Sequence, residues 1–270
     1  MSHLQSKITS IYPQPRALDA YVLKAETDST TVSACVWATD QDLHFIAPWA
    51  SRWAGPMSLL LTTTAEPASV AHAALLRRLG ALQKHSALLN ATLSVHVLHL
   101  ARTHSAGSPP SPNALLNLAR LFAQTTRVAL FPANLSTAPP KTLYRTLLAA
   151  SGASSPSLAI TEPKPRTTRP AILTTRGQTG FPFAPLAPVV LARDDPLWCT
   201  ERFFLYPDAG SGSGARMADW EECLWQIWLE HFGDVEVRQT RGWVHDVVMA
   251  SPPSSTEASP TALVSLFHLW

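Results

Sequence analysis

Unbroken apolar and β-branched runs alternate along this chain with stretches whose apolar positions recur at helical spacing. Thr31–Ala38 (T-V-S-A-C-V-W-A), Met57–Thr64 (M-S-L-L-L-T-T-T), Leu93–Leu100 (L-S-V-H-V-L-H-L) and Val128–Phe131 read as buried strands. Between the first two, Leu43, Ile46, Ala47 and Ala50 fall at helical spacing. Asp40 or Asp42 is available as the cap there, and Pro48 disturbs the helix. Ala68–Leu89 is the longest helical pattern, with Arg77, Arg78 and Lys84 for its polar face. Asn113 predicts the N-cap of a helix through Thr125, and Pro139 stands in the first turn of a helix reaching Ala150. Ser157–Ile160, Ala171–Thr174 and Val189–Ala192 are short strand candidates. Asp219 opens a helix through Phe232 that Gly233 closes, and Val235–Val244 returns as a strand.

This rhythm predicts an α/β fold with a parallel-leaning sheet. In such sheets ligands bind beyond the carboxyl ends of the strands. The places to look are therefore near Ala38–Thr39, Thr64 and Phe131–Asn134. Residues 1–30 read as an irregular lead-in, residues 31–250 as the domain, and residues 251–270 as a low-complexity tail with a terminal segment.

Composition narrows the partners. Charged residues make up 15% of the 270, and 21 basic against 19 acidic leave a formal charge of +2, with no basic block. A nucleic-acid footprint is not indicated. No 18-residue apolar run is present, so the chain as given reads as soluble, without a transmembrane segment. Cys35, Cys199 and Cys223 share no C-x-x-C spacing, which predicts buried or incidental thiols rather than a zinc site or disulfide framework. The sequons at Asn90 and Asn134 are too short a pattern to argue for a secretory route.

Several motifs read blandly. His96 and His99 differ by three, so on a strand they face opposite sides; together with His104 they are assigned structural roles. D-A-G-S-G-S-G at 208–214 lacks the G-x-x-x-x-G-K-[ST] arrangement and reads as a surface loop, although Arg216 just beyond it is placed to meet a diphosphate. Gly212 occupies the position a nucleophile elbow gives to Ser, which argues against a hydrolase. Trp37-Ala-Thr-Asp40 is no Gly-rich turn, which argues against dinucleotide binding. Trp220, Trp225 and Trp228 recur at helical spacing and read as core, with Glu221 and Glu222 solvated.

The stretch from Arg193 to His245 is the densest in acidic and aromatic residues, and it carries part of a resemblance. R-W-A-G-P-M-S at 52–58 is similar to a W-x-G-P-[IM]-S entry to a second strand. P-N-A-L-L-N-L-A-R at 112–120 is similar to a Y-P-x-N-x-L-R-N-x-A helix. E-R-F at 201–203, the Trp/Glu-rich helix and W-V-H at 243–245 are similar to a D-E-R-F, helix and terminal F-x-x-H series. In this order and spacing, over roughly residues 31–246, the chain resembles the LARGE-type, dystroglycan-modifying glycosyltransferases of family 49, most closely their divergent fungal-type relatives.

The resemblance implies a GT-A-like, Rossmann-type nucleotide-sugar-binding domain with a mixed, mostly parallel central sheet. It would transfer a sugar, hexosyl or glucuronyl, from a UDP-linked donor to a glycan acceptor. It also implies residence in the Golgi lumen behind an N-terminal anchor, and this chain shows no such anchor. The family's D-x-D after the fourth strand holds Mn²⁺ or Mg²⁺ against the diphosphate. Here those positions are Pro132 and Asn134, while His245 keeps its place and Thr200 replaces the Asp of D-E-R-F. The implied metal ligands are thus Asn134 and His245. Asp194, Asp195 and Glu201 are the candidates for catalytic base, and Asp40, Arg193 and Arg216 for holding the donor. The alternative is a catalytically inactive member of the fold that binds a glycan or nucleotide or serves as a scaffold.

Overall fold

The computed structural model describes residues 16–100, 112–152, 169–175, 177, 179–195 and 214–245. Its strands are β1 (Ala17–Leu23), β2 (Val32–Thr39), β3 (Met57–Thr63), β4 (Leu93–His99), β5 (Arg127–Leu130), β6 (Ala171–Thr174), β7 (Val189–Ala192) and β8 (Glu236–Gln239). Its helices are α1 (Ile46–Trp53), α2 (Val70–His85), α3 (Ala87–Thr92), α4 (Pro112–Phe122), α5 (Leu143–Gly152) and α6 (Gly214–Glu230).

The unbroken apolar runs form the middle of one sheet, because a strand covered on both faces has no reason to alternate with polar residues. Every residue of β3 and β4 is buried. Along β2, Val32, Ala34, Val36 and Ala38 meet Trp49 and Trp53 of α1, Leu75 and Leu79 of α2, and Leu143 and Leu147 of α5. The alternate residues Cys35 and Trp37 belong to the opposite layer, with Leu115 and Leu118 of α4 and Trp220, Leu224 and Ile227 of α6. The period of two along the strand thus divides the core into two layers around the sheet. Each buried Leu or Ile adds about 1.5–3 kcal/mol relative to exposure.

The strand order is β1-β4-β3-β2-β5-β7-β6-β8. β4, β3, β2 and β5 are parallel, as are β6 and β8. β1 runs antiparallel to β4, and β7 antiparallel to both β5 and β6. The sheet is therefore mixed and mostly parallel, a Rossmann-like α/β arrangement. Successive strands β2, β3 and β4 step outward in one direction, and α4 then carries the chain back to place β5 on the other flank of β2. This reversal makes a topological switch point at the carboxyl ends of β2 and β5, the usual ligand position in such sheets.

Several elements differ from their sequence patterns. The supposed lead-in contains β1, whose pairing with β4 shifts register between Asp19 and Leu23 and carries Tyr21 at φ 55. The long Ala/Leu helix is two: Ser86 takes an extended conformation, and its side chain accepts from the Leu89 amide to start α3. Neither Asp40 nor Asp42 caps α1, since Asp42 Oδ2 instead accepts from the Thr39 amide and hydroxyl. Pro48 sits in the first turn of α1, where its missing N–H costs no hydrogen bond. Pro139 lies before α5 rather than in it.

Asn113 and Asp219 lie inside helices, not at caps, and Asn113 Nδ2 donates to the Asp219 carbonyl at 3.0 Å, tying α4 to α6. At the end of α6 the left-handed turn begins at Phe232 (φ 50) as well as Gly233 (φ 75), with the Gly233 amide bonded to the Trp228 carbonyl at 2.9 Å. The strand expected over 235–244 is pared to β8 and a separate bridge at Val244. Cys35 is a buried free thiol as expected, whereas Cys223 is disulfide-bonded, which corrects the reading of three incidental thiols. The strand candidate at 157–160 and the tail 251–270 lie outside the described residues. Among the described residues no helix is long and apolar enough to cross a membrane.

Candidate functional site

The corner beyond β5 is assembled by aromatic packing and by one arginine. Phe131 packs edge-on against Trp49 (5.2 Å) and Trp53 (5.6 Å) and lies 6.1 Å from Trp243. The Trp37 indole donates to the Pro132 carbonyl at 3.0 Å, and the Trp49 indole to the Thr137 carbonyl at 3.0 Å. Arg52, in the R-W-A-G-P-M-S segment, donates from Nε to the Pro139 carbonyl (2.7 Å) and from its terminal nitrogen to the Gly242 carbonyl (2.9 Å). Held from both sides, Ala138 and Val244 form an antiparallel bridge with N···O distances of 2.9 and 3.1 Å. His245 follows directly, exposed, with Nδ1 3.4 Å from Thr137 Oγ1. The rest of the same segment closes α1. Ala54 turns left-handed at φ 56, the Trp53 indole donates to the Pro56 carbonyl, and the Tyr144 ring packs so closely on Gly55 that a Cβ there would stand 2.4 Å from it.

Asn134 and His245 are thus brought to one corner. The side-chain oxygen of Asn134 is nevertheless already engaged. Its Oδ1 accepts from both the amide and the hydroxyl of Ser136, while its carbonyl accepts from the Thr137 amide, the pattern of an Asx turn. An amide oxygen has two lone pairs, and both are engaged. At the end of β2, Asp40 Oδ2 accepts from Thr63 Oγ1 at 2.8 Å, which draws it toward β3 and away from β5. Among the described residues neither Asn134 nor His245 is bonded or ion-paired to a carboxylate. Mn²⁺ and Mg²⁺ want several oxygen ligands, so these residues do not fit the divalent ion that the resemblance implies.

The other candidates are elsewhere. Because β7 runs against β5, Ala192 pairs with Arg127 and the Arg193 amide bonds to the Thr126 carbonyl at 2.9 Å. Arg193, Asp194 and Asp195 therefore stand at the amino ends of the parallel strands. The length of β5, roughly 13 Å at strand rise, separates them from the corner that holds Asn134 and His245. The structure does not bring these two groups together. Arg193 and Asp194 pair with each other (3.0 and 2.9 Å), which holds the Asp194 carboxyl below its usual range and raises the arginine further. Such a carboxylate is a poor proton acceptor.

Beneath them lies Arg120, buried and donating to the carbonyls of Arg193 (2.7 Å), Ala192 (3.2 Å) and Asp195 (2.6 Å). Burial pulls its pKa down to about 10, against the opposing pull of the Asp195 and Asp194 carboxylates. Burial likewise pushes the Cys35 thiol up to about 12, so it is inert. Glu201 and residues 208–213 lie outside the described residues, and Arg216 falls in the first turn of α6. Of the three tryptophans on α6, Trp220 is fully buried, Trp228 packs on Phe183, and Trp225 is 41% exposed beside Phe181; Glu221 and Glu222 are exposed.

The two strand histidines diverge as their spacing predicts. His96 is buried against Phe122, its Nδ1 accepting from the Tyr21 amide at 3.0 Å and its Nε2 facing Ser58 Oγ, 3.3 Å away. His99 faces the other layer and meets Asp19 of β1 and His72 of α2. That trio was not legible, because Asp19 lay in the supposed lead-in and His72 in an Ala/Leu helix. No protein-family model matches the chain, and no curated protein matches its sequence.

Proposed function

We propose that this chain is a GT-A-like glycosyltransferase domain of the family 49 type, binding a UDP-sugar at the switch point between β2 and β5 and passing the sugar to a glycan acceptor. The observation that carries the reading is the reversal of strand order at β2/β5, with His245 tethered beside it by the Ala138–Val244 bridge and Arg52. The reversed strand β7, inserted between β5 and β6, accords with a mixed sheet of the GT-A kind. Asn113 in the first turn of α4 donates to the Asp219 carbonyl in the second turn of α6, which ties the two helices together. Helix amino ends favour anions, and His245 is the described side chain at this corner that would meet a diphosphate. The disulfide at Cys223 fits an oxidising compartment such as the Golgi lumen.

A second reading, a domain that binds the nucleotide without transferring the sugar, is favoured by one observation. Asp194 and Asp195 stand at the far end of the sheet, leaving the base role without either of them. Calorimetric titration of the purified chain with UDP, in Mn²⁺ and in chelator, tests both. We expect binding of equal affinity in the two buffers; absence of binding in either overturns the nucleotide-sugar reading. Turnover of UDP-sugars with glycan acceptors then separates the two readings, since binding without turnover supports the second.

A further inference from the structure

We propose that Asp19, His72 and His99 form a binding site for one divalent transition-metal ion of the zinc class. Three elements distant in sequence converge there. In the β1/β4 ladder Ala17 pairs with His99 and Asp19 with Val97, so Asp19 and His99 are diagonal neighbours on one face. Ser69 caps α2 by accepting from the His72 amide, which fixes His72 in the first helical turn above that face. One ligand atom from each residue lies within 4.8 Å of the others.

The hydrogen-bond pattern of the rings favours a cation. His99 Nδ1 lies 2.8 Å from the Ala65 carbonyl, which can only accept, so the ring hydrogen is on Nδ1. A backbone carbonyl on the far ring nitrogen is the usual support of a metal-bound histidine. Nε2 then turns its lone pair toward Asp19 Oδ2 at 2.9 Å. Two acceptors at that distance need a positive species between them.

A proton shared by Asp19 and His99 would leave His72 unused. Yet His72 Nε2 is buried, makes no hydrogen bond and stands 3.5 Å from the same carboxylate oxygen. Ligand atoms around a tetrahedral zinc, with bonds near 2.0–2.1 Å, stand about 3.3 Å apart. The observed 2.9 and 3.5 Å bracket that spacing.

Coordination through His72 Nε2 moves that ring's hydrogen to Nδ1 and releases the Ala68 amide, which now donates to Nδ1 at 3.1 Å. Ala68 is exposed, so water can take the place of that contact. Two imidazoles and a single carboxylate suit Zn²⁺ or Co²⁺ rather than Mg²⁺ or Ca²⁺. The His99 side chain is fully buried and that of Asp19 is 39% exposed, so the fourth position opens to water on the Asp19 side. The ion would pin the edge strand β1 to α2.

The test uses the full chain, expressed without a histidine tag, stripped with chelator and titrated with Zn²⁺ by calorimetry and with Co²⁺ by visible absorption. One equivalent of each ion is expected, with a Co²⁺ spectrum of low-coordinate geometry. His72→Ala and the near-isosteric Asp19→Asn should each weaken binding at least about tenfold, and His231→Ala should leave it unchanged, with folding of every variant checked by circular dichroism. Absence of binding by the wild-type chain, or equal affinity in folded His72→Ala, overturns the proposal. UDP takes no part, so the outcome is independent of the nucleotide-sugar reading.

Discussion

His96 shows how a single side chain is committed by its neighbours. Its Nδ1 faces the Tyr21 amide, so the neutral ring carries its hydrogen on Nε2 toward Ser58, whose hydroxyl donates to the Ala119 carbonyl at 2.6 Å. A second proton on Nδ1 would meet that amide head-on, and burial lowers the pKa from 6.5 to about 3. The unfolded chain accepts a proton below 6.5 that the folded protein refuses, so stability falls as pH drops from 6.5 toward 3. The slope is about 1.4 kcal/mol per pH unit for this one group. Histidine-labelled NMR should show His96 untitrated through that window; titration of His96 near 6.5 would contradict the network. Asn134 teaches the same lesson. Its residue type allowed a metal ligand, and only the Ser136 contacts show both lone pairs spent.

At the level of elements, the strands were the most legible part, because unbroken apolar runs in β2, β3 and β4 need two covering layers wherever they sit. Helix ends were less so. The Ala/Leu periodicity runs through Ser86, and nothing in the spacing marks it as a break. Ser69 and Ser86 both act as caps by accepting amides three residues on. Ser69→Ala should cost about 1 kcal/mol in urea unfolding, and it should also loosen the first turn that presents His72. An unchanged midpoint would deny the cap its role. Asp219 misled in the opposite sense. Aspartate reads as a helix start, yet it lies well inside α6, where burial of Trp220 and Cys223 overrides intrinsic preference.

Across the whole molecule, the candidate chemistry sorts by which end of the sheet it occupies. Arg193 and His245 bound one acidic and aromatic stretch of sequence, but the reversed direction of β7 sends Arg193 to the amino ends while the Ala138–Val244 bridge holds His245 at the carboxyl ends. Two substitutions should therefore separate. Asp194→Asn should leave UDP affinity unchanged, whereas His245→Ala should weaken it about tenfold, the worth of one charge-assisted hydrogen bond near 1.4 kcal/mol. A loss on Asp194→Asn equal to that on His245→Ala would place the nucleotide elsewhere. The α/β class, the central strands and most helices followed from local patterns, since burial on one face or two leaves its period in the residues themselves. Strand direction, the pairing of β1 with β4 and the meeting of Asp19, His72 and His99 depend on contacts between distant segments. Those contacts leave no period in the chain, so they became visible only in the folded sheet.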